Sequence, residues 1–136
     1  EAEMVYVPGT AYRYSDLSMI VLGFVVEKVA GESLAAFAGA NIFAPLGMGS
    51  TAFRGGAGSD FDWDTRIVPT EVDRVERARL LWGEVHDLNA YVMGGTAGHA
   101  GLFSSVLDLC KFCTTVLSGG VCPATGKRLY SESASK

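Results

Sequence analysis

The chain has 136 residues, 49% hydrophobic and 19% charged, with 11 basic against 15 acidic side chains and a formal charge of −4. That length suits one ordinary domain able to bury roughly two thirds of its unfolded surface, while the charge content is low for a free-standing protein. The bases form no stripe or cluster, which argues against nucleic acid as a partner.

The opening, EAEMVYVPG, carries two acids and no basic stretch, so no export signal is legible, and the start without Met suggests a beginning inside a domain. Pro8-Gly9 marks a turn. Ser15 or Asp16 then offers an N-cap for a helix over Leu17–Ala30. Its apolar residues, from Leu17 through Val29, cover nearly every face, the pattern of a helix buried on all sides. The longest apolar run, Met19 to Val26, is interrupted by Gly23 and falls far short of the roughly 20 residues of a membrane span, so no transmembrane segment is expected. Gly31 suits the left-handed position that stops the helix. Ser33 can cap a second helix from Leu34 to about Phe43, which PLGMGST at Pro45–Thr51 ends.

Residues 54–87 differ in kind. They hold eight of the 15 acids and five arginines with weak periodicity, and read as an irregular charged loop with a short strand at Arg66–Pro69. Such charge is mostly a solvated face. HDLNAYVMGG predicts one short helix leading into GGTAGHAG, where the glycines let a backbone turn. Ser105 to Asp108 has the spacing of a capping box for a helix to about Leu117, stopped by Gly119-Gly120. The tail is turn-rich. The fold class is therefore mainly α with long irregular loops.

Most other chemistry is set aside on spacing. The C-x-x-C of Cys110 and Cys113 falls mid-helix on the stripe Val106, Leu109, Cys110, Cys113, Val116, Leu117, and reads as buried structural thiols. Neither His86 nor His99 has acids at metal-ligand spacing, so no metal and no cofactor are expected; His86-Asp87 reads as a surface pair and His99 as a histidine of the glycine loop. ATGKR fails as a phosphate loop, because Val121 stands where a glycine is required and Arg128 replaces Ser or Thr. Ser133-Ala-Ser-Lys136 matches Ser-x-x-Lys, but Lys136 ends the chain with nothing downstream to hold the needed helical turn.

PGTAYRYSDLSMIVLGFVVEKVAGESLAAFAGANIFAPLGMGST closely resembles the middle of the serine β-lactamase and penicillin-binding-protein-like hydrolases, in their class C and esterase branch. GGTAGHAGLFSSVLDLCKFCTTVLSGG is similar to the family's glycine-rich entry to a Ser-Thr-x-x-Asp-Leu helix, and IVPTEVD and GEVHDLNAYVMGG to its cell-wall-associated branch. The resemblance runs from Pro8 to about Gly120 and rests on the order and spacing of these pieces.

It implies the helical subdomain of a β-lactamase/transpeptidase-like α+β fold, with residues 1–136 a central part of one domain. The parent would be a serine hydrolase forming an acyl-enzyme on an ester, a β-lactam or a peptidoglycan-derived amide, in a periplasmic or extracytoplasmic setting. Of the family's three motifs only Tyr-x-Asn is present, as Tyr14-Ser15-Asp16. Tyr14 then faces a nucleophilic Ser that this chain lacks and works in proton transfer with the motif Lys. A phenol titrates near ~10, so it needs a neighbouring cation or a relay to do so. Asp16 stands where the family uses Asn and, when ionised, offers only acceptors, which puts amide substrates, and β-lactam turnover with them, in doubt. Read from spacing alone, the same residues only cap a helix while Tyr14 packs. No turnover is expected of this chain by itself. The alternatives are an inactive module that binds cell-wall ligands, and a helical piece that pairs with itself or with the missing half of the domain.

Overall fold

The structure is a computed structural model that describes residues 6–55 and 65–135. Helix α1 spans Asp16–Ala30. Ser15 caps it from an extended backbone, its hydroxyl accepting from the Leu17 N–H at 3.3 Å, and Gly31 closes it at φ 74° with its N–H on the Glu27 carbonyl. The choice left open between Ser15 and Asp16 thus falls to Ser15, and Asp16 becomes the first helical residue, an acid beside the positive helix end. Helix α2, Leu34–Ala38, is capped by Ser33 and runs on as a π-helical turn over Gly39–Phe43, so the expected second helix loosens midway. Leu46 and Met48, beyond it, are buried with Cys122 in one small core cluster, against Ile42, Phe43 and Leu129.

The charged stretch is more ordered than its sequence suggests. Strands β2 (Pro69–Asp73) and β3 (Arg79–Trp82) form an antiparallel hairpin, with the pairing irregular between Pro69 and Glu71. The expected strand at Arg66–Pro69 therefore lies too early, since pairing begins where that prediction ends. Asp73 accepts from the Val75 and Glu76 N–H groups and from Arg77 Nε at 2.9–3.0 Å, which fixes the turn. Arg77 continues to Glu84 Oε1 at 3.2 Å and the Val85 carbonyl at 2.8 Å, and lies over the Tyr91 ring at 4.8 Å. These charges are not simply a solvated face: the Arg77 side chain is 9% exposed and ties the hairpin to helix α3, Leu88–Val92. Asp60, Asp62 and Asp64 lie outside the described residues.

Helix α4, Val106–Leu117, begins at Ser105, whose hydroxyl accepts from the Asp108 N–H. Only half of the capping box forms. The Asp108 carboxylate instead accepts from the Ser50 N–H (2.7 Å), the Thr51 hydroxyl (3.0 Å) and Lys111 Nζ (2.9 Å). Burial raises its pKa, but Lys111 and then these hydrogen bonds outweigh it and hold the carboxyl below its ordinary value. The helix therefore packs through Asp108 and Thr115, which are buried. This corrects the expectation for the thiols. Cys110 and Cys113 are exposed and only Cys122 is buried. Strands β1 (Ala52–Phe53) and β4 (Leu102–Phe103) pair antiparallel beside this junction. A cavity of about 450 Å³ opens here, lined among others by Ser50, Thr51, Arg54, Arg66 and Ser104. No helix among the described residues is long and apolar enough to cross a membrane.

Candidate functional site

Tyr14 directly precedes Ser15, the cap of α1, and is 74% exposed, so its ring does not pack in a core. Asp16, one turn-start later, is half-buried, and no hydrogen bond to its carboxylate forms among the described residues. Facing it are two residues that sequence spacing left apart. A carboxylate oxygen of Asp16, one of Asp87 and a ring nitrogen of His99 lie within 4.8 Å of one another.

Asp87 is the N-cap of α3. Its Oδ1 accepts from the Ala90 N–H at 2.7 Å and lies 2.8 Å from His99 Nε2. It is no mere surface residue, although His86 beside it is exposed. Burial pushes the Asp87 pKa up, but the Ala90 N–H and then His99 overcome this and hold the carboxyl below its ordinary value. An ionised carboxylate only accepts, so the proton of the pair sits on Nε2. The His99 side chain is 3% exposed, and its Nδ1 is buried without a partner among the described residues.

The glycines make this meeting possible. A Cβ added to Gly98 would stand 2.0 Å from the Met19 carbonyl oxygen, and one on Gly101, at φ 106°, would stand 2.1 Å from the Gly95 carbonyl oxygen. The loop thus folds back on itself and lies directly on the first turns of α1, setting His99 against Asp16. Gly23, the one buried residue of α1, receives the same contact, with an added Cβ 3.2 Å from the Gly98 nitrogen.

Two expectations change with this arrangement. His99 does lie near acids, in space though not in spacing, and the trio has the donor types of a divalent-cation site. His99 still belongs to the glycine loop, but with its side chain turned inward. Of the sequence's site residues, the structure places Tyr14 and Asp16 in one tripeptide at the start of α1; His99 and Asp87 are the members that spacing did not find. The Ser-x-x-Lys match cannot be placed, because Lys136 lies outside the described residues.

Comparison with known proteins gives a consistent assignment. The family model described as Beta-lactamase matches residues 1–134. A relative from Escherichia coli K12, named "Putative D-alanyl-D-alanine carboxypeptidase", is 38% identical over 125 residues, covering 85% of this chain and 29% of its own length. One of the same name from Salmonella schwarzengrund is 36% identical over the same shares. The chain thus spans about 29% of the relatives it matches. Among solved structures, the octameric penicillin-binding protein homologue from Pyrococcus abyssi superposes with a TM-score of 0.62 at 26% identity, over 95% of this chain and 25% of that one. The D-amino acid amidase from Ochrobactrum anthropi SV3 gives 0.54 at 20% identity, over 82% of this chain and 32% of that one, a likeness of fold alone. With the Tyr14-Ser15-Asp16 tripeptide at the start of an apolar helix and a family match over nearly every residue, the chain belongs to the beta-lactamase family.

Proposed function

We propose that this chain is the helix-rich central part of a serine hydrolase domain whose nucleophile lies outside it, and that Tyr14 is its general acid/base. The reaction is acyl transfer. A Ser hydroxyl attacks the carbonyl carbon of an ester, a β-lactam or a D-amino-acid amide of cell-wall origin. The leaving group departs with a proton, and water then releases the acyl group. Tyr14, beside the motif Lys of the nucleophile segment, relays the proton between Ser and leaving group. The observation that carries this reading is the placement of Tyr14: exposed rather than packed in a core, directly before the cap of α1, and two residues ahead of Asp16 of the charged trio. The relatives' name, a D-alanyl-D-alanine carboxypeptidase, supports a peptide ending in D-amino acids as the substrate class.

The test is labelling of the full-length protein with a fluorescent penicillin and, separately, a fluorophosphonate. One serine upstream of this chain should take the label, and Tyr14→Phe should slow acylation by roughly 100-fold or more. Label on no serine, or a Tyr14→Phe variant acylated at the parent rate, would sink the reading. A second reading, a piece that associates through α1, is favoured by the exposure of that helix's apolar side chains. Within the first reading the same face is covered by the rest of the domain.

A further inference from the structure

The trio that includes Asp16 of the tripeptide poses an electrostatic problem. Asn at the third place of the tripeptide is neutral. Asp16 is an acid set within 4.8 Å of a second carboxylate, Asp87, whose pKa is held low. Two like charges this close repel, and left alone they would turn the Asp16 side chain away. Asp87 cannot move to relieve this, since it caps α3 through the Ala90 N–H. Asp16 has a freer side chain, with no hydrogen bond among the described residues. The group placed to reconcile them is His99, buried, donating Nε2–H to Asp87 and within the same 4.8 Å of Asp16. The backbone just before the imidazole is seated on α1, since Gly98 rests on the Met19 carbonyl.

We propose that His99 is a positioning residue for the tripeptide: braced on Asp87, it faces the Asp16 carboxylate, two residues after Tyr14, and offsets the repulsion of the second acid. This rests on the hydrolase reading and adds to it the reason an Asp is tolerated where the family uses Asn. The pairing makes a sharp demand. If His99 exists to reconcile two carboxylates, removing one charge should make it dispensable.

The experiment compares acylation rates of the full-length protein by fluorescent penicillin in four forms: parent, His99→Ala, Asp16→Asn and the double variant. His99→Ala should lower the rate about 10-fold or more, the usual cost of losing a partner behind a functional group. Asp16→Asn should restore most of that loss in the double variant. Because emptying a buried site can prevent folding, His99→Gln serves as a second background with the same comparison. Rescue in either folded background supports the proposal. Unchanged rates in both, or losses that Asp16→Asn does not restore, overturn it, leaving His99 a filler of the loop. A parent that takes neither this label nor a fluorophosphonate sinks the hydrolase reading instead. The Asp16–His99 interaction is then read from melting temperatures of D16N, H99Q and D16N/H99Q, where strictly additive shifts overturn it and a smaller combined loss supports it.

Discussion

Asp73 shows how a single carboxylate organises a turn that charge patterning would leave to solvent. The Arg77 guanidinium beside it, against the opposing effect of burial and helped by the turn's own N–H groups, lowers its pKa from the ordinary 3.8 to about 2. A carboxyl depressed in the folded state stabilises the fold at pH above its unfolded pKa, and that contribution is lost as pH falls through the folded one. The hairpin should therefore weaken between about pH 4 and pH 2. Asp73→Asn should melt lower than the parent at pH 6 and show a flatter acid limb, measured by thermal melts across that range. Tyr14→Phe and the His99 series belong to this scale too, since each asks what one polar group does for the tripeptide. The charge on Arg77 was legible in the sequence, but its partners were not. Glu84 and the Val85 carbonyl reach it only after the hairpin closes.

At the scale of elements, the helices were readable because their signals are local. Ser15, Ser33 and Ser105 cap where their spacing indicates, and Gly31 stops α1 as a left-handed residue. The β2–β3 hairpin was missed because PTEVD and RLLW alternate poorly, and their pairing is recorded only across a turn held by side chains. The stripe on α4 misled in another way. Helical spacing identified an apolar face, yet the helix packs here through Asp108 and Thr115, whose burial depends on Ser50 and Thr51 far away in sequence. The candidate site was half legible: Tyr14-Ser15-Asp16 is contiguous, whereas Asp87 and His99 meet it only because glycines let a loop lie on α1. Two glycine substitutions separate these roles. Gly98→Ala must displace the Met19 carbonyl and should cost about 1–3 kcal/mol by overpacking. Gly31→Ala has open space around it and should cost about 1 kcal/mol, from its left-handed backbone alone. Chemical unfolding of the two variants checks the order, and only Gly98→Ala should also perturb the His99 ring resonances.

For the whole molecule, the feature that decides behaviour is the face of α1. Leu17, Val21, Leu22, Phe24 and Val25 are each at least half exposed, and Val29 is 83% exposed, in a helix whose sequence calls for burial on every side. The reading of a fully buried helix is thus corrected for this chain: only Gly23 is buried. The composition gave the reason in advance, as a surface short of charge and rich in apolar area wants a cover. The chain spans about 29% of its relatives' length, and under the proposed reading the rest of the domain covers this face. Expressed alone, these 136 residues should elute above monomer mass and bind a hydrophobic dye. Leu22→Glu with Val25→Glu should return the elution to monomer; a monomer from the outset would count against the idea.

The seat of Gly98 on α1 has a mechanical side. The carbonyl of Met19 presses on a loop whose ends already touch, Gly95 against Gly101, and the next residues along are strand β4, paired with β1. With no methyl-sized slack at either contact, the loop works as a strut. A tilt of the start of α1 would press on the loop that leads into β4, so the contacts on either side of Gly98 tie the helix of the tripeptide to the β1–β4 pair.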